Sequence, residues 1–476
     1  MKTKIFNLSN LYWLIIVAII IVFHGNHILE NDEGVVLEGA WNLINNRELY
    51  IDFFEIVTPG VFYLIFWLWK IFGVSYLAAN IVSMAALFLG AVGIYKISQQ
   101  IISSSLNKLG PLFFVLSSAY WSVIIYHNFN ICFMIWATYF FLRALNNNKY
   151  KYFIASGLLT GLSILFMQNK GLILFGALAS FLLILLIKKR KKIYLHLGLC
   201  YSLFSLLPIL ILFLKWSPAF LYNKLIYFPL THYFGLPGLS YKLVLLFVIL
   251  ILIAIHLFYK EKSCLAHDET MKQMARRAKK IWLLIYLQGF LLISTLPLPD
   301  HFHTTLVLFP LIALSALLGH KIIKTKIYYQ ILYGPFILAS IIVILFPAMI
   351  FTKNFKLFVS ETNHPVLLYI KNNCQDSKYL YAGPYMSIIY FESRQLNATP
   401  YSWLITNHHS PEQFLDARQY LKKNKPSCAI LEYTGVAKYN YNKNNPLDNY
   451  ILDNYYLEEN IGNVLIYKIN DLSASK

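Results

Sequence analysis

Charge is what this sequence has least of. Only 13% of its 476 residues are Asp, Glu, Lys or Arg, and no more than 22 are acidic. Soluble domains carry roughly a quarter charged residues, so 58% hydrophobic and 17% aromatic content excludes that class and indicates a polytopic membrane protein. Cysteine is also scarce. Cys132 and Cys200 lie in apolar segments, Cys264 in a basic stretch, and Cys374 and Cys428 in the polar tail; no pair has the spacing of a metal site. The tail pair reads as two separate buried thiols, with a disulfide as the alternative if the tail faces an oxidising compartment. No glycine-rich loop is present to cradle a soluble nucleotide. No small-residue cleavage site follows the first apolar run at 11–23, so that run is expected to stay as a spanning helix.

Apolar windows long enough to cross a bilayer, about 20 residues, recur near 10–29, 76–100, 110–126, 129–145, 152–168, 170–187, 193–214, 241–259, 281–299, 303–319 and 328–350. Segment 60–73 is shorter, contains Lys70, and reads as interfacial or re-entrant. With the N-terminus inside, the inner connections carry 22 Lys and Arg and the outer ones six. That asymmetry is the positive-inside pattern, so the net charge of +19 is topological and requires no nucleic acid. The expected fold is an α-helical polytopic membrane domain over 1–350, with about eleven spans, followed by a small extracytoplasmic α/β domain over 351–476. In that tail, helices are expected at 364–373, 384–391, 410 onward and 447–456, and strands at 378–382, 428–432 and 464–469. Ser410-Pro411-Glu412-Gln413 has the form of a capping box.

Against this apolar background, Glu30-Asn31-Asp32-Glu33-Gly34 stands out. It opens a polar, aromatic-rich outer loop within 24–75 that also holds Glu38, Trp41, Arg47, Tyr50, Asp52, Glu55, Thr58 and Pro59. Other outer connections bring Asn128 and Asn130, Gln168-Asn169-Lys170, and Asp300, His301 and His303. Acids, bases and cations gathered on one membrane face suit a reaction on an anionic, lipid-borne substrate. Each residue also has a plainer role: Asp32 and Glu33 as acids favoured at a helix start, Lys170 as a snorkelling lysine, and the histidines as interfacial anchors.

The order of the acidic pair, Gly34, Ala40-Trp41-Asn42-Leu43, Tyr50, Asp52 and Thr58-Pro59-Gly60, then a helix closing at Phe72-Gly73, resembles the first outer loop of GT-C class membrane glycosyltransferases. Family 39, with the protein O-mannosyltransferases and the lipid A aminoarabinose transferase, is the most similar group. Gly157-Leu158-Leu159-Thr160-Gly161 leading to Gln168-Asn169-Lys170-Gly171, Asp300-His301-Phe302 before Pro310, and Tyr381-Ala382-Gly383-Pro384 extend the likeness over nearly the whole chain. The chain departs from the family at Gly60, where a second proline is usual, and at Asn128 or Asn130, where an acid is frequent.

The resemblance implies transfer of a sugar from a polyprenyl-phosphate carrier to a glycan, lipid or protein acceptor, with lipopolysaccharide and other envelope glycans foremost. Abundant Lys, Asn and Ile with no eukaryotic targeting feature fit an AT-rich bacterium, and the odd number of spans puts the tail outside, so the expected location is a bacterial inner membrane with a periplasmic tail. Asp32 becomes the catalytic base, and Glu33 a catalytic partner that orients acceptor, binds sugar hydroxyls or holds a divalent cation. Arg47, Tyr50, Asp52, Lys170, His301 and His303 become substrate contacts. Two other readings compete: a transporter or flippase for lipid-linked glycans, and an O-antigen polymerase-like protein. Ion-coupled transport would place acids mid-membrane, and nearly all the spanning cores lack them.

Overall fold

The computed structural model describes residues 8–101, 105–147, 149–232, 241–261, 271–296, 301–324, 327–353 and 359–470. Up to Lys353 the described chain is helical. Its bundle core is built from helices Tyr76–Gln99, Tyr126–Asn147, Gln168–Lys189 and Met271–Ile293, which contribute Leu87, Ile94, Ile135, Phe141, Leu178, Leu284 and Leu287 to one buried cluster. Among the described residues, three helices are long and apolar enough to cross a membrane: Tyr76–Gln99, Gln168–Lys189 and Ile193–Phe213. The last of these exposes Leu199, Leu203 and Ile211, each at 60% or more, an apolar surface suited to hydrocarbon and not to water.

A described helix overlaps each of the eleven expected windows, but four differ: 303–319 is broken between His301–Leu306 and Phe309–Lys324, and three have other boundaries. The first helix, Leu8–His24, stops five residues before the expected end. Beyond it His27 pairs with Ser360, donating its amide to the Val359 carbonyl at 2.8 Å and accepting from the Glu361 amide at 2.9 Å. The window 110–126 is a short helix, Leu109–Ser117, followed by a tight turn at Ser118–Trp121. There the Ser117 and Ser118 hydroxyls bond back to the Phe114 and Val115 carbonyls, the local competition by which serine weakens a helix. The window 281–299 starts at Met271 instead, because Arg276, Arg277, Lys279 and Lys280 are good helix formers and extend the apolar segment backwards.

The C-terminal α/β region holds a five-stranded sheet in the order β2-β1-β3-β5-β4. Its strands are β1 (Tyr379–Gly383), β2 (Leu396–Asn397), β3 (Cys428–Glu432), β4 (Tyr455–Ile461) and β5 (Val464–Ile469). β1 is parallel to both β2 and β3, and β5 is antiparallel to β3 and β4. The helix expected to reach residue 456 ends at Asn454, since Tyr455 already pairs with Ile469 in a hairpin. That hairpin turns at Gly462, whose φ of 64° is open to glycine at little cost. The capping box at Ser410 and Gln413 is formed. Cys374 and Cys428 correct an expectation: they are joined as a disulfide, with Cα atoms 5.7 Å apart. Helix Pro365–Asn373 ends beside the first residue of β3, so folding sets the two sulfurs together across 54 residues of sequence.

This region is docked on the first loop. Val36, Leu37 and Ala40 of helix Asn31–Ile44 share one buried cluster with Val366, Ile370, Leu380 and Ile388. Phe54 joins a second cluster with Tyr381, Tyr401 and Leu431. Each large aliphatic chain buried there contributes about 1.5–3 kcal/mol, so loop and sheet stabilise each other.

Candidate active site

Helix Asn31–Ile44 carries Asp32 and Glu33 in its first turn, where carboxylates complement the helix dipole. The helix splits the pair. Adjacent residues point in different directions, so Asp32 is exposed while Glu33 is 0% exposed. Glu33 Oε2 accepts the Ile124 N–H at 2.9 Å and ties the 122–125 turn to the helix. Burial pushes the Glu33 carboxyl up to about 8, an effect softened by that bond. Glu30, just ahead, is also pushed up, first by burial and then by the charge of Asp32.

Asp32 meets the C-terminal region directly. The Tyr385 hydroxyl donates to Asp32 Oδ1, and the Ser387 hydroxyl donates to the Asn31 carbonyl at 2.6 Å. Gly34 makes this approach possible, since a Cβ there would fall 2.1 Å from the Ile388 nitrogen. The phenol of Tyr385 is held well above its ordinary range, first by burial and then by the Asp32 charge, so it acts as a donor. Sequence reasoning missed Tyr385. A signal existed: the residue lies just past the carboxyl end of β1, the side of a parallel sheet where ligands gather.

A group of nitrogen bases stands close by. Lys170, in the first turn of helix Gln168–Lys189, is 1% exposed. Lys170 and His303 both lie within electrostatic reach of His127, and the rings of His127 and His303 are 5.7 Å apart, edge to face. Phe302 packs against both rings, at 5.2 and 5.1 Å. Tyr126 connects the two groups: its ring is 4.5 Å from that of His127, and Asp32 acts on it electrostatically. Tyr126 and His127 thus form a link between Asp32 on one side and Lys170 and His303 on the other. His301 begins the short helix His301–Leu306, and Asp300 lies outside the described residues.

Arg47, Tyr50 and Asp52 are engaged elsewhere. Arg47 donates to Asn42 Oδ1 and the Asn397 carbonyl, both at 3.2 Å, and to the Asp52 carbonyl at 2.9 Å. The Asp52 carboxylate accepts the Glu48 N–H at 2.7 Å. Tyr50 has a φ of 68° and donates its hydroxyl to the Val57 carbonyl at 2.6 Å. These three close the loop on itself and on the sheet. Asn128 donates to Ser83 and Asn130 to Ser163, so both amides tie helices together. Asn397, the first residue of an Asn-Ala-Thr sequon, is 1% exposed and donates to Glu38 Oε1, an arrangement closed to glycosylation. Burial pushes Glu38 up to about 7, with Asn397 and Arg47 opposing. Among the described residues no three His, Cys, Asp or Glu side chains come together as a metal-ligand set.

Residues 57–212 match the family model described as dolichyl-phosphate-mannose-protein mannosyltransferase. The match begins beyond Asp32. No curated protein sequence matches the chain. Among solved structures, ArnT from Cupriavidus metallidurans bound to undecaprenyl phosphate superposes with a TM-score of 0.60 at 12% identity, over 96% of this chain and 97% of that one. The oligosaccharyltransferase AglB from Archaeoglobus fulgidus, in complex with an inhibitory peptide and a dolichol-phosphate, gives 0.56 at 11% identity, over 97% of this chain and 74% of that one. Such identities establish the fold. With the family match, they point to a membrane glycosyltransferase of the GT-C class.

Proposed function

We propose that this chain transfers a sugar from a polyprenyl-phosphate carrier to an envelope acceptor at the outer face of a bacterial inner membrane. The observation that carries the reading is the exposed Asp32 carboxylate linked through Tyr126 and His127 to buried Lys170 and half-buried His303. Asp32 takes the acceptor hydroxyl's proton as that oxygen attacks the anomeric carbon. Lys170, with His303 near it across His127, balances the charge of the departing lipid phosphate, and His301 is a further candidate for that role. A lysine buried in an apolar bundle stabilises an anion far more strongly than one in water. The binding of undecaprenyl phosphate by ArnT and of dolichol-phosphate by AglB supports a lipid-phosphate carrier here.

Glu33 has a different role in this scheme. Fully buried and bonded to the Ile124 amide, it anchors the 122–125 turn and supports the site from beneath Asp32. Exposed Asp32 is the member of the pair open to a divalent cation, and a chelator titration of transfer decides whether one is used.

The test is Asp32→Asn in proteoliposomes supplied with lipid-linked sugar. Transfer should fall by about 10²–10⁴-fold, the usual weight of a general base, with the protein still inserted. Full activity in that variant would remove Asp32 as the base. An intact glycosidic bond with the unmutated protein would leave a transporter in place of an enzyme.

A further inference from the structure

The seam between the first loop and the C-terminal region continues outward from Asp32 as a band of aromatic rings. Tyr385 holds the Asp32 carboxylate, and the Trp403 ring stands 6.5 Å from it, edge to face. Partly exposed Trp403 is braced from behind by the buried rings of His409, at 4.4 Å, and His408, at 5.8 Å. Tyr439 follows, 4.7 Å from His408. Charge borders the same band: exposed Lys438 acts electrostatically on both Glu30 and His408. Nothing in the transfer chemistry derived above uses Trp403, Tyr439, Glu30 or Lys438.

Resting on the transferase reading, we propose that this band is the acceptor subsite and that its ligand is a sugar ring. A pyranose has an apolar C–H face and a rim of hydroxyls. The first matches the face of Trp403 and the second matches the Glu30 and Lys438 edge, with one hydroxyl presented to Asp32. A peptide acceptor is a poorer match, because extended peptides dock by adding a strand to a free sheet edge. The edge strand on this side is β2, only two residues long, and its Asn397 is buried against Glu38. Tyr385 is a positioning residue here: it leaves one Asp32 oxygen for the acceptor hydroxyl while fixing the other.

The experiment measures transfer kinetics of the full chain in proteoliposomes, with lipopolysaccharide from the host strain as acceptor and lipid-linked sugar as donor. Trp403→Ala should raise the KM for lipopolysaccharide about tenfold, the weight of one aromatic contact. The donor KM and kcat should stay within about twofold. Trp403→Phe keeps a ring and should recover most of the loss, which a merely unfolded variant would not show. An unchanged acceptor KM in Trp403→Ala, an equal rise in both KM values, or efficient transfer to a hydroxyl-rich peptide in place of lipopolysaccharide would overturn the subsite. Its failure is separable from that of the parent reading: an inert Asp32→Asn beside an unaffected Trp403→Ala removes only the subsite, whereas an active Asp32→Asn removes the base.

Discussion

The two sides of the candidate site are built in opposite ways. The cation side lies inside the helical bundle, where Lys170 is 1% exposed and His127 is buried with it. The carboxylate side lies at a seam between two parts of the fold, with Asp32 exposed and capped by Tyr385 from the C-terminal region. A buried cation suits a ligand whose phosphate arrives from the lipid phase and leaves with its charge neutralised. An exposed carboxylate suits a ligand that arrives from water. The donor and acceptor therefore need separate supports, and substitutions on the two sides should affect different kinetic constants.

The largest separation is expected from Lys170→Met. Removing a charge-assisted phosphate contact from a low-dielectric site should weaken the donor by about 100-fold, with the acceptor KM unchanged. Kinetics in proteoliposomes at varied donor check this. A matched loss on the acceptor would mean that the two sides are one site.

Gly34→Ala attacks the seam without touching a charged group. The new methyl would fall 2.1 Å from the Ile388 nitrogen and must push the C-terminal region off the helix. Overpacking of this kind costs about 1–3 kcal/mol. Crosslinking or hydrogen exchange across 385–388 should report loosening, together with reduced transfer, while the donor KM holds. A seam as tightly protected as before would show that the contact is adaptable.

Much of this arrangement is legible in the sequence, and unevenly so. Helix positions follow from apolar length because a spanning segment must satisfy its backbone internally, and the large boundary errors arise where basic residues extend an apolar run, as at Met271, or where serines end one early, as at Ser117. Asp32 stands out because acids are rare beside such segments. The role of Arg47 and Tyr50 is harder to read, since a polar residue in a loop looks the same whether it faces a ligand or a backbone carbonyl more than 300 residues away, as Arg47 does at Asn397. Tyr385 and Trp403 are invisible for the same reason. Their significance depends on a docking of distant segments that no local pattern encodes. The disulfide belongs here too: only the sheet brings Cys374 to Cys428.

The last effect, confined to stability with no change expected in either KM, concerns the adjacent acids, which sequence alone treats as a pair. Glu33 is raised to about 8 by burial, well above the ordinary range of an unfolded glutamate. A group of this kind favours the folded state while both states hold the proton. As pH rises past the unfolded value, the unfolded chain ionises and the folded chain does not, so that contribution declines until the folded carboxyl itself titrates. Between about pH 6 and about pH 8 the decline attributable to Glu33 is about 2 kcal/mol. Glu33→Gln retains an oxygen to accept the Ile124 N–H and cannot ionise, so its stability should fall less over that interval. The variant's curve should be flatter and not flat, because Glu38, pushed up to about 7, contributes in the same direction. Unfolding by denaturing detergent in mixed micelles at the two pH values measures the difference. Parallel slopes for the two proteins would mean that Glu33 is ionised in the fold, and with it would go the contrast between a buried anchoring acid and its exposed neighbour.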